Sequence, residues 1–125
     1  MKLSRIINIT DAKIICKTDK FSLERDVEFG LSCDLMSDVL MALRKQTFEV
    51  DFEESSVLIT GLATMQAIRT AEMLDIDIIL FVRGKVPTEK VIKLAKESDI
   101  TLLTTEHMMY RACGELFCAG LKGIS

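Results

Sequence analysis

Residues 23–40 read LERDVEFGLSCDLMSDVL, and a change of pattern inside them decides the fold. Residues 27–32 read as a strand. From Asp34 onward Leu35, Met36, Val39, Leu40 and Leu43 recur at helical spacing, and Arg44 and Lys45 suit the carboxyl end of that helix through its dipole. Between strand and helix lies a polar turn with Cys33, Asp34, Ser37 and Asp38. In parallel α/β folds this junction, the carboxyl end of a strand and the amino end of a helix, is where ligands commonly sit.

Working outward, the same unit repeats. Leu3, Ile6 and Ile7 form a short helical face before Thr10 and Asp11, and residues 12–16 are an apolar strand candidate. Residues 57–60 form a third strand closed by Gly61, after which Thr64 opens a helix with Met65, Ile68, Ala71 and Leu74 on one face. Residues 76–82, IDIILFV, are a near-continuous apolar run of the kind covered by helices on both sides. Arg83 and Gly84 turn the chain toward Pro87, Thr88 and a helix bearing Val91, Leu94 and Ala95. A strand at 100–103 follows. The last helix, from about Thr105, carries the adjacent stripes Met108, Ala112, Leu116 and Met109, Cys113, Phe117, and ends at Gly120. Strands alternating with helices across short connections require crossovers. The expected fold is therefore α/β: one domain over 1–125, three layers α/β/α around a mostly parallel sheet.

The 125 residues suffice for one domain with a real core. A hydrophobic share of 49% with 28% charged residues is globular, and a net charge of −3 argues against a generic nucleic-acid binder. No apolar run approaches the roughly 20 residues of a membrane helix, and the start MKLSRIINIT lacks a signal-peptide core, so a cytoplasmic protein is expected. The four cysteines form no C-x-x-C pair, and none lies three or four residues from His107, the one histidine. Reduced, mostly buried thiols are expected, with no metal and no cofactor. Gly114, in mid-helix, costs about 1 kcal/mol against alanine and suggests close helix packing.

The 23–40 stretch resembles the signature of the DRTGG domain family, roughly L-D-R-E-V-T-G-G followed by D-L-L-S-D-V-L. Here Leu23-Glu24-Arg25-Asp26-Val27-Glu28-Phe29-Gly30 and Asp34-Leu35-Met36-Ser37-Asp38-Val39-Leu40 stand in those places. The segment from Val57 to Thr105 is similar to the family's second half. Two departures are Glu28-Phe29 in place of the namesake Thr-Gly pair, and an acidic segment at 47–56 longer than the family norm. The resemblance implies an α/β/α domain similar to the amino-terminal domain of HPr kinase/phosphorylase. It also implies an accessory role, beside catalytic parts or between CBS domains, with dimer contacts. No G-x-x-x-x-G-K-[ST] loop is present to cradle ATP phosphates, so a kinase reading is not supported.

The candidate ligand-binding residues are those of the strand-to-helix turns: Ser32, Asp34, Ser37, Asp38, Gly61, Thr64, Arg83, Gly84, Thr104 and Thr105. Most have a plainer role. Asp34 as the N-cap of its helix is worth about 1 kcal/mol without any ligand, and the Arg83 segment reads as a solvated turn. If the third and fourth strands are neighbours, however, Gly61, Thr64 and the Arg83 turn could jointly take an anion. In the 47–56 segment Phe48, Val50 and Phe52 alternate with acidic residues, giving a strip that a monomer leaves partly wet. No base and nucleophile pair up in these motifs. Two functions follow as expectations: a non-catalytic regulatory or interaction module that self-associates as a dimer, or a sensor of a small ligand such as a nucleotide.

Overall fold

The computed structural model describes residues 1–44 and 56–123. Its elements are α1 (Leu3–Thr10), β1 (Lys13–Cys16), β2 (Phe29–Ser32), α2 (Met36–Arg44), β3 (Ser56–Thr60), α3 (Met65–Met73), β4 (Ile78–Phe81), α4 (Glu89–Glu97), β5 (Thr101–Thr104), α5 (Met109–Cys118) and β6 (Lys122–Gly123). The strands form one sheet in the order β1-β5-β4-β3-β2-β6. All neighbours are parallel except β1, which runs antiparallel to β5 at one edge. The α/β/α expectation holds, and β3 and β4 are neighbours. The two-residue β6 at the opposite edge has too little periodicity to be read from sequence.

The alternation of side chains along each strand divides the core. Leu58, Ile79, Phe81 and Leu102 pack toward the α2–α4 layer, meeting Val39, Ile68 and Val91. Val57, Ile59, Ile78, Leu80 and Leu103 point the other way, to Leu3 and Ile6 of α1 and Ala112 and Leu116 of α5. Every residue of β4 is buried, which is why its sequence is apolar without interruption.

Four helices end the same way. Asp11, Asp75 and Asp99 have φ of 51°, 54° and 56°, and Gly120 has φ 113°. In each case the next amide bonds back to a carbonyl five residues earlier: Ala12 to Ile7, Ile76 to Ala71, Ile100 to Ala95 and Leu121 to Leu116. The left-handed residue frees the chain to leave the helix, and the apolar residue after it enters the core. Aspartate tolerates this conformation better than most non-glycine residues.

Several helix faces differ from the sequence reading. In α3 the buried residues are Ala67, Ile68, Thr70 and Ala71, while Met65 is exposed. In α5 only Ala112 and Leu116 are buried, and Phe117 and the preceding Met108 stand in solvent. Gly114 packs against nothing among the described residues: a Cβ placed there meets none of their atoms within 4 Å. Of the cysteines, Cys16 is buried, Cys33 and Cys113 are half-buried and Cys118 is exposed, so the thiols are free but not mostly buried. Burial pushes the Cys16 thiol above its ordinary pKa. The Phe48, Val50 and Phe52 strip lies outside the described residues.

Candidate functional site

Parallel strands gather their following turns at one rim of the sheet, and that rim brings together three candidate residues from three turns. Asp34 does not cap α2, which begins two residues later at Met36. Because β2 runs in register with β3, pairing Ser32 with Ile59, its carboxylate reaches sideways to the next turn. Asp34 Oδ1 accepts from the Gly61 amide at 2.7 Å and the Thr60 hydroxyl at 3.1 Å. Arg83 lies over Gly61, donating to its carbonyl at 3.4 Å and standing 3.6 Å from Asp34 Oδ2. A Cβ at Gly61 would sit 2.2 Å from the guanidinium, so the absence of a side chain there is what admits Arg83. Both charged side chains remain partly open to water, 40% for Arg83 and 49% for Asp34.

A crevice opens at the rim of an α/β sheet where adjacent strands send their chains to opposite faces. Here that place is between β4, which leads into α4, and β5, which leads into α5 on the other face. It is stitched shut. The Arg83 amide donates to the His107 carbonyl at 2.9 Å, the Gly84 amide to the Thr105 carbonyl at 2.8 Å, and the Thr104 hydroxyl to the Lys85 carbonyl at 2.8 Å. Arg83 and Gly84 take up φ of 62° and 65° to make this turn, and the Glu106 carboxylate folds over Gly84. Thr105 is buried, its hydroxyl donating to the Thr10 carbonyl and accepting from the His107 amide.

The remaining candidates are scattered. Thr64 caps α3 by accepting from the Ala67 amide. Ser37 and Asp38 are exposed on the first turn of α2. Ser32 faces a different feature, a groove of about 360 Å³ between α5 and the β2–β6 edge. Its base is formed by the buried Ile59, Leu116 and Leu121, and Tyr110, Phe117 and Lys122 border it. Tyr110, Cys113, Gly114 and Phe117 fall at i, i+3, i+4 and i+7, one stripe of the helix. That spacing was visible in the sequence, but α5 is apolar on several sides and periodicity alone could not say which stripe turned inward.

At the start of this helix, His107 Nδ1 lies 3.7 Å from Glu115 Oε2 and is buried with no hydrogen-bond partner among the described residues. Glu115 also accepts from Arg111 at 2.7 Å; chiefly that hydrogen bond holds its carboxyl below the ordinary carboxylate value, with lesser help from the charges of Arg111 and His107. Among the described residues no group of His, Cys, Asp or Glu is placed to hold a metal, and no helix is long and apolar enough to cross a membrane.

No family model and no curated protein matches the chain. A solved structure does: the CBS and DRTGG domains of the regulatory region of Clostridium perfringens pyrophosphatase, complexed with its activator diadenosine tetraphosphate. The TM-score is 0.69 at 17% identity, covering 92% of this chain and 45% of that one. At this identity the likeness supports a DRTGG-like fold, and the chain spans less than half the length of the protein it resembles.

Proposed function

We propose that this chain is a non-catalytic regulatory or interaction module that self-associates as a dimer. The observation that carries the reading is the contrast in satisfaction between its two surface features. The polar groups of the rim bond to one another, whereas the α5 stripe leaves Tyr110 93% and Phe117 70% exposed beside an apolar groove. Contiguous exposed apolar surface of this kind marks interaction sites and ligand-binding grooves. The structural likeness to a regulatory region agrees with an accessory role. Sedimentation of the full chain across a dilution series tests it. A concentration-dependent dimer is expected, and a monomer throughout would sink the reading.

A second reading, a small-ligand sensor, draws on one specific arrangement: Asp34, Gly61 and Arg83 converge with their charged ends half open to water. A ligand with phosphate groups would take over Arg83, displacing Asp34 from it. Thermal-shift measurements with nucleotides and phosphorylated metabolites distinguish the readings. A ligand at one hundred times its dissociation constant stabilises the fold by about 2.7 kcal/mol, and a flat response across the panel removes the sensor.

A further inference from the structure

We infer that the free edge of β1 takes up an extended acidic segment of a partner protein, which adds to the sheet as a further strand; this goes beyond the self-association proposed above and uses a different surface. β1 stands at the margin of the sheet, with β5 on one side and no strand on the other among the described residues. In an antiparallel pair every second residue turns its N–H and C=O toward the partner strand, and the rest aim theirs outward. Such an outward row is a template for another extended chain. It lies beside apolar surface, since Ile14 is 36% exposed and Ile15 half-buried. The opposite edge, β6, is two residues long and offers no comparable template.

Charge singles this edge out. Lys13 opens β1, Lys17 directly follows it and Lys20 stands in the next turn, against one acid, Asp19. α4 packs beside β1 and brings Lys90, Lys93 and Lys96 against Glu89 and Glu97. Burial pushes the Cys16 thiol up, and Lys96 stands near enough for its charge to offset part of that push. Together the two segments hold three more positive than negative charges, in a chain of net −3. All six lysines are exposed, and none forms an ion pair among the described residues. Lys17 lies instead over the Phe21 ring, 5.2 Å from its centroid.

Lysines at an edge strand guard it against pairing with another copy of itself, since two such edges repel. The same charges attract a strand of the opposite sign, so repulsion and attraction select the partner together. A segment that alternates acidic and apolar residues fits both features of the edge. Its carboxylates meet the lysines, its apolar side chains cover Ile14, and its backbone pairs with the outward N–H and C=O groups. A nucleic acid fits less well. Residues 13–20 and α4 contain no arginine and no aromatic residue on which bases could stack, and a phosphate backbone leaves the outward amides and carbonyls of the edge without a ladder. The register shift between Ile14 and Cys16 keeps the regular ladder short, so charge supplies much of the attraction and added salt weakens it.

Fluorescence anisotropy of the full chain with a short labelled peptide alternating Glu and Val tests the edge. Three further probes accompany it: a Lys/Val peptide of the same length, the Glu/Val peptide N-methylated at two adjacent central residues so that both of its edges are interrupted, and oligothymidylate. The Glu/Val peptide should bind and the Lys/Val peptide should not. N-methylation should weaken binding by about tenfold, the loss of two ladder hydrogen bonds. Reversing both strand-flanking charges, Lys13→Glu with Lys17→Glu, should also weaken it by about tenfold, with the melting temperature unchanged because both side chains are exposed. Absence of Glu/Val binding at millimolar peptide overturns the proposal. Equal binding of the N-methylated peptide overturns strand addition, equal binding of oligothymidylate overturns the choice of partner, and an unchanged constant in the double variant overturns the placement at β1. Each of these results leaves the self-association reading standing, since sedimentation of the chain alone decides that.

Discussion

At the rim of the sheet, Asp34, Gly61 and Arg83 come from three separate turns and meet one another's needs; on α5, Tyr110, Gly114 and Phe117 come from one helix and meet none of theirs. The rim had the sequence features of a binding site, and folding uses them to tie the turns together. The helix had the sequence features of core, and folding turns one of its apolar stripes outward. Polar groups near a sheet edge can reach each other within a single chain, because hydrogen bonds span only about 3 Å and the turns are neighbours. An outward apolar stripe has no such remedy among the described residues.

The strongest way to break this contrast is to remove the shared acceptor of the rim. Asp34→Ala leaves the buried Gly61 amide and the Thr60 hydroxyl without their carboxylate and frees Arg83. The expected loss is about 1–3 kcal/mol, read from denaturant unfolding. A change within about 0.5 kcal/mol, the range of ordinary surface substitutions, would mean that the rim is not held together by Asp34.

Gly114→Ala probes the other side with the opposite sign. In the dilute chain it should stabilise the fold by about 1 kcal/mol, since helix propensity improves and no atom of the described residues blocks the new methyl group. Destabilisation would show that the hollow is filled from within. Gly61→Ala should have a smaller effect than Asp34→Ala. Its Cβ displaces the end of the flexible Arg83 side chain, and the half-exposed ion pair lost is worth at most about 1 kcal/mol.

The smallest effect belongs to Glu115, behind the stripe. Its folded pKa lies below the ordinary 4.5 because Arg111 donates a hydrogen bond to it, aided by the Arg111 and His107 charges. A lowered carboxyl pKa means the contribution is present above 4.5 and is lost as the pH falls through the folded value. A carboxyl-resolved NMR titration should place the Glu115 midpoint below 4.5, and Arg111→Gln should bring it back toward the ordinary value.

Much of the scaffold was readable because the governing forces are local. Apolar runs at 57–60 and 76–82, and helical spacing after Asp34 and Thr64, named the strands and helices that the structure contains. The convergence of Asp34, Gly61 and Arg83 at one rim follows from parallel strands alone. What Asp34 bonds to did not follow. It sits beside Gly61 only because β2 pairs with β3 in one particular register, which brings the Cys33 amide to the Ile59 carbonyl at 3.1 Å. The helix ends were legible in principle, since Asp11-Ala12, Asp75-Ile76, Asp99-Ile100 and Gly120-Leu121 repeat one left-handed exit. Only the first and last of these read as breaks in the sequence, because Asp75 and Asp99 are followed at once by the apolar runs of the next strands.

Residue order alone was sufficient for the α/β alternation, the largely parallel sheet and the gathering of turns on one edge, because each depends on periodicity and on the reach of short connections. Assembly in three dimensions was needed to choose between equivalent options. It closed the β4–β5 crevice with main-chain hydrogen bonds, and it buried Ala112 and Leu116 while leaving Tyr110 and Phe117 outside. Side chains on neighbouring stripes of one helix are alike in chemistry, and only the position of the sheet beneath them decides which ones leave water.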